Sequence, residues 1–92
     1  MKITLTEKAQ SELRALDHTQ RAPVLHALLA LPAALGQAHL HSGLGIRKVH
    51  PSGVWEARVG LGLRIVFLLS PNELIVVTVG THDAVRRFLR TL

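Results

Sequence analysis

The sequence predicts an α+β fold, with an N-terminal strand and a helical hairpin packed on one face of a twisted, mainly antiparallel sheet, followed by a short C-terminal helix. Three observations predict it. Apolar residues recur at helical spacing between Thr6 and Leu31, and the period changes to two after Gly43. The second half is then punctuated by Pro51-Ser52-Gly53, Gly60-Leu61-Gly62 and Ser70-Pro71-Asn72-Glu73, short turns of the kind that join antiparallel neighbours.

Element by element, residues 2–5 alternate polar and apolar and read as a strand. Thr6 is placed to cap a helix, with Glu7 in its first turn and Ala9, Leu13 and Leu16 on one side; this helix is expected to stop near Asp17-His18-Thr19. A second helix is expected from about Gln20 to Leu31. Pro23 belongs in its first turn, Ala22, Leu25, Leu28 and Leu29 form its apolar stripe, and Pro32 and Gly36 end it. A loop over Gly36 to Gly43 leads to strands over Leu44–His50, Val54–Val59, Leu63–Leu69 and Leu74–Val79, a meander to which the first strand is added. Thr81 caps a last helix over about His82–Thr91, with Asp83 in its first turn and Val85, Phe88 and Leu89 sharing a face.

The bulk numbers bound the function. A chain of 92 residues has room for one domain, spanning 1–92. With 48% hydrophobic and 18% charged residues it is expected to fold. It has no cysteine, which excludes disulfides, thiolate metal sites and a cysteine nucleophile, and fits the cytoplasm. The N-terminal residues have no signal-peptide pattern, and no apolar run approaches the length of a membrane span, so no membrane role is expected. Eleven Lys and Arg against six Asp and Glu give a net charge of +5, which favours polyanionic partners, nucleic acid first.

Strand alternation sorts the candidate site residues. Trp55, Ala57 and Val59 point to one face, as do Leu63, Ile65, Phe67 and Leu69; Glu56, Arg58 and Arg64 then share the other, near the Gly60-Leu61-Gly62 turn. Such a group is either an ordinary cross-strand ion pair on a solvated face or a patch of two guanidiniums and a carboxylate that handles phosphate. On the preceding strand, Lys48 and His50 share one face and Arg47 and Val49 the other, and either set can join the patch. His82 stands where the last helix begins, a position that attracts anions. Arg86, Arg87 and Arg90 have a plain explanation in the helix dipole. His39-x-His41, with His50, has part of a metal-ligand spacing but lacks the further ligand nearby that a zinc site needs, so no metal and no other cofactor is expected.

These residues resemble a known family. The run Arg47-Lys48-Val49-His50-Pro51-Ser52-Gly53-Val54-Trp55-Glu56-Ala57-Arg58-Val59 is similar to the middle of RelE/ParE-type toxins, where a basic strand, a short turn and a W-E-x-R strand recur. Gly62-Leu63-Arg64-Ile65-Val66-Phe67 resembles their next strand, and Val79-Gly80-Thr81-His82-Asp83-Ala84-Val85 their C-terminal G-x-H-x-x-V signature. The resemblance, which covers essentially the whole chain, implies the toxin of a type II toxin–antitoxin system, with a cognate antitoxin as partner. It further implies an endoribonuclease that inhibits translation by cutting messenger RNA at the ribosome. Carried over by position, Arg58 and Arg64 stabilise phosphate charge, Glu56 or His82 serves as general base or acid, and Arg47, Lys48, His50, Arg86 and Arg87 hold RNA.

One departure stands against the pattern. Many RNA-cutting members carry a tyrosine just after the histidine or a few residues into the last helix, whereas this chain has no tyrosine, and Arg86 and Arg87 occupy that stretch. An arginine holds phosphate but does not readily give up a proton near neutral pH. The alternatives are a non-enzymatic gyrase poison of the ParE type and a member that retains only antitoxin binding.

Overall fold

A computed structural model of the chain describes residues 1–37 and 43–92. The expected loop over 36–43 falls mostly, and His39 and His41 fall entirely, outside the described residues. The element order is β1 (Lys2–Leu5), α1 (Glu7–Ala15), α2 (His18–Ala34), β2 (Arg47–His50), β3 (Val54–Val59), β4 (Leu63–Ser70), β5 (Glu73–Thr81) and α3 (His82–Leu89). The strands form one sheet in the order β1-β5-β4-β3-β2. The last four make the antiparallel meander and β1 joins β5 in parallel, Lys2 beside Glu73 and Leu5 beside Val76, so the α+β expectation holds.

The turn from β1 into α1 is set by Thr6, whose side chain accepts the Ala9 N–H. Beyond Val76, β5 no longer has β1 beside it. Glu12 of α1 covers that edge by accepting the Val79 N–H at 3.1 Å and the Thr78 hydroxyl at 2.8 Å. Helix α1 ends at Ala15, close to the expected stop, and Asp17 caps the start of α2, accepting from the Thr19 hydroxyl and the Gln20 N–H; these bonds hold its carboxyl below the usual carboxylate range. Arg21, one turn into α2, donates back to the carbonyls of Leu13, Arg14 and Leu16 at the end of α1, where helix carbonyls run short of backbone donors. One side chain thus closes the helical hairpin.

Helix α2 corrects two expectations. It runs from His18 to Ala34, so Pro23 lies in its second turn and Pro32 is still inside it. Each proline withholds one N–H from the ladder, an omission that a helix held by tertiary packing tolerates. Its buried side is Val24, Ala27, Leu28, Leu31 and Ala34, whereas Ala22, Leu25 and Leu29 of the expected stripe are exposed, Leu29 at 76%. The helix is apolar almost all round, so periodicity alone did not single out the face that packs.

The two faces of the sheet are covered unequally. The hairpin covers the thicker core, where Ala9, Val24, Leu28 and Leu31 meet Ala57, Ile65, Phe67, Leu74 and Val76, with Trp55 half-buried at its margin. On the opposite face, expected to be open, α3 lies across β4 and β5 and buries Val85 on Val54 and Val66, with Val49, Val77, Phe88 and Leu89 around them. That smaller core also closes over Glu56.

Strand β2 is shorter than the expected Leu44–His50. Gly43 and Leu44 are helical, and Gly45 has φ +59°, a left-handed conformation that interrupts a strand. A Cβ at Gly45 would also land on Arg58 Nε.

Two stability predictions follow from these positions. Leu31→Ala empties a fully buried site and is expected to cost about 3 kcal/mol in urea unfolding, whereas Leu29→Ala, on the exposed side of the same helix, changes stability by less than about 0.5 kcal/mol. Gly45→Ala meets both the positive φ and the Arg58 guanidinium, and is expected to lower stability by about 1 kcal/mol or more.

Candidate nucleic-acid interface

The register of the meander assembles the site. Arg47 of β2 stands opposite Glu56 of β3, Glu56 opposite Val66 of β4, and Arg58 opposite Arg64. Residues opposite one another share a face, so Arg47, Glu56, Arg58 and Arg64 all lie on the α3 side of the sheet. A register irregularity between Lys48 and His50 turns β2 locally, and both Arg47 and Lys48 then reach the same cleft.

Glu56 is the pivot. It is only 3% exposed, and its Oε1 accepts from Arg47 Nε at 3.1 Å and stands 3.7 Å from Arg64 Nε. Arg47 is largely exposed, whereas the Arg64 side chain is 14% exposed and its Nε has no hydrogen-bond partner among the described residues. A carboxylate so buried needs cations beside it, and these two arginines supply them from the strands on either side.

Arg58 and Arg64 face each other across β3 and β4, a juxtaposition of like charges that is unfavourable at close range. They separate: Arg64 turns toward Glu56, and Arg58 lies against the backbone of Gly45, where the missing Cβ leaves it a seat. Arg58 therefore joins the sheet face but is not among the residues lining the cleft. Nothing in the periodicity marked Gly45 for this role; only its glycine identity beside the strand was visible.

Helix α3 forms the other wall. Thr81 caps it by accepting the Ala84 N–H at 3.2 Å, which fixes His82 as its first residue. His82, Arg86 and Leu89 follow at helical spacing and, with Arg47, Lys48, Val49 and Glu56, line a cleft of about 310 Å³. His82 and Arg86 are exposed. The cleft thus brings together Glu56, His82, Arg47, Lys48 and Arg86 from the expected set, with Arg64 behind Glu56. His50 lies alongside, its Nδ1 engaged by the Ser52 hydroxyl at 2.6 Å and the Ser52 N–H at 3.1 Å in the β2–β3 turn. Arg87 projects into a different hollow, on the far side of α3. Val49 and Leu89 complete the cleft lining; the sequence marked Leu89 only as part of an apolar helix face and Val49 only as sharing a strand face with Arg47, since apolar residues signal only packing.

Chemically, the cleft offers three cations for an anion, an imidazole that can exchange a proton, and a carboxylate that is largely taken up by guanidiniums. Such a site suits a phosphodiester.

No family model matches the sequence, and no curated protein matches it. Solved structures do. The E. coli DinJ–YafQ toxin–antitoxin complex contains a chain that superposes with a TM-score of 0.73 at 15% identity, over 90% of this chain and 93% of that one. A YoeB/ParE toxin from Agrobacterium tumefaciens gives 0.66 at 19% identity, over 89% and 99%. The archaeal RelE–RelB complex from Pyrococcus horikoshii OT3 gives 0.66 at 10% identity, over 87% and 92%. Coverage is nearly complete in both directions in each case, and the chain has the fold of the RelE/ParE superfamily of toxins.

Proposed function

We propose that this chain is the toxin of a type II toxin–antitoxin pair and an endoribonuclease that cuts messenger RNA at the ribosome. The observation that carries this reading is the cleft between β2 and α3, in which His82 and Arg86 face Arg47 and Lys48 above a buried Glu56. In the reaction, the ribose 2′-oxygen attacks the adjacent phosphorus, the bond to the next nucleotide's 5′-oxygen breaks, and a 2′,3′-cyclic phosphate and a 5′-hydroxyl result. The 2′-hydroxyl gives up one proton and the leaving oxygen takes one. Histidine is the side chain suited to such exchange near neutral pH, and His82 is the exposed histidine in the cleft. Arg47, Lys48 and Arg86 hold the phosphate as charge builds on its oxygens. Glu56 has little access to a ribose hydroxyl at 3% exposure; its role is to hold Arg47 and Arg64 in place.

An antitoxin partner accords with the DinJ–YafQ complex and with Ala22, Leu25 and Leu29, an apolar stripe left exposed on α2 beside His18 and Arg21. The absence of tyrosine supports the gyrase-poison alternative, because that activity needs no proton-transfer group.

Induced expression in bacteria, with RNA 5′ ends mapped across coding regions, is the direct test. New cuts within translated messages, lost when initiation is blocked, are expected from the wild type. His82→Ala is expected to reduce cutting at least ~10²-fold without moving the unfolding midpoint, since the side chain is exposed. Glu56→Ala instead leaves its arginines unpaired and is expected to cost about 3 kcal/mol of stability. Growth arrest without cuts, accompanied by a DNA-damage response, would transfer the protein to the gyrase reading.

The antitoxin reading has its own test. Leu29→Asp is expected to leave folding and growth arrest intact while weakening neutralisation by the co-expressed antitoxin. Full neutralisation of that variant would move the partner's footprint off α2.

A further inference from the structure

Helix α3 separates two hollows, and the cleft at His82 accounts for only one of them. The second, about 510 Å³, lies between α3 and α1 and is lined by Lys8, Glu12, Ala84, Arg87, Phe88 and Thr91. Its charges are unevenly engaged. Glu12 is committed to the backbone of β5, to Thr78 and to Lys8 Nζ at 2.7 Å. Lys8 also stands 5.6 Å from the centroid of the Phe88 ring. Arg87 has no carboxylate within ion-pair distance among the described residues; Asp83, one turn before it, makes no such contact. The same is true of Arg86 in the first cleft and of Arg90 at the helix end.

The spacing of these arginines matters. Arg86 and Arg87 are adjacent in sequence and point to opposite sides of the ridge. Arg90 is four residues from the first and three from the second, and therefore neighbours both on the helix surface. A track of guanidiniums thus runs from the first cleft over the end of α3 into the second. The helix dipole explains cations near a helix C-terminus, but not their distribution into two hollows.

We propose that Arg86, Arg90 and Arg87 form a phosphate track by which a single-stranded RNA leaves the His82 cleft, crosses α3 and enters the hollow at Lys8 and Phe88, so that nucleotides beyond the cleaved bond are also bound. The proposal rests on the ribonuclease reading of the first cleft. RNA fits the track better than an acidic peptide does, because the three guanidiniums are spread along a line and continue a phosphate site at one end. A phosphodiester chain carries a charge at every residue.

The test measures binding rather than cleavage. Fluorescence anisotropy of the full chain is recorded with a trinucleotide and a decanucleotide of 2′-O-methyl RNA, which lacks the attacking hydroxyl, over a series of salt concentrations. Each phosphate contact on a single strand contributes about 0.7 to the slope of log affinity against log salt. Arg87→Ala and Arg90→Ala are expected to lower the decanucleotide slope by about that amount each and leave the trinucleotide slope unchanged. Arg86→Ala is expected to lower both. Arg14→Ala, an exposed arginine on α1 away from both hollows, is expected to lower neither. An Arg14→Ala effect equal to that of Arg87→Ala would reduce the track to diffuse charge and overturn it. So would a decanucleotide slope indifferent to Arg87 and Arg90, or an acidic peptide that displaces the decanucleotide from the wild type through Arg87. Trinucleotide binding indifferent to both Arg86 and Lys48 would instead remove the first-cleft reading itself, which tells the two failures apart.

Discussion

The site depends on one buried carboxylate. Glu56 sits on β3, next to the sheet edge, on the face that carries α3, and its ion pairs join three adjacent strands: Arg47 from the edge strand β2, Glu56 itself from β3 and Arg64 from β4. Burying such a group without partners costs several kcal/mol, so its position and those of the two guanidiniums are mutually required. Strand β2 has only four residues, lies at the sheet edge and contains a bulge. Its N-terminal end is held by the Arg47–Glu56 pair and, two residues earlier, by Arg58 against Gly45. Two arginines that the sheet register places near one another thus serve a single strand from different directions. The wall of the cleft is the result.

The unequal covering of the sheet locates this site. The hairpin face is filled by aliphatic side chains and Phe67, and leaves no room for polar function. The α3 face buries far less, and its centre combines valines with Glu56 and Thr78. An eight-residue helix is marginal in isolation, and α3 depends on its Thr81 cap and on Val85, Phe88 and Leu89 for its position. Covering only part of the face, it leaves a hollow along each side. Both hollows are consequences of a short helix laid over a wider sheet.

Much of this was legible in the sequence, for identifiable reasons. Strand β1 matched its expected bounds because its alternation is bracketed by a clear cap, and the meander was announced by three turn sequences that only tight reversals explain. The membership of Glu56, Arg58 and Arg64 in one sheet face followed from period two alone, and the register bears it out. Where reading failed, local pattern was degenerate. Helix α2 is apolar almost all round, so Leu25 and Leu29 looked as suitable for the core as Val24 and Leu31, and the choice was made by tertiary packing. The stop near Asp17 was legible, but the start of α2 at His18 rather than about Gln20 was not, because a residue that caps one helix also interrupts the run before it. The start of β2 depends on the left-handed backbone of Gly45 and on an arginine thirteen residues later in the chain, a relation no local window contains. Burial of Glu56 was likewise out of reach, since it requires knowing that α3 folds back over the sheet.

The composition of the cleft also bears on how an RNA would be chosen. Phe67 is fully buried, Trp55 packs at the margin of the hairpin core, and Phe88 is half-buried beneath Lys8, so none of the three aromatic residues presents a free ring in the cleft. What remains accessible is charge and one imidazole. Contacts of that kind fix the position of a backbone without reading its bases. On the ribonuclease reading, selection of the cleavage point then falls to whatever presents the strand. On that same reading a ribosome, which holds a message in a defined frame, would meet this requirement, because a cleft of charge and one imidazole fixes a backbone without choosing its bases.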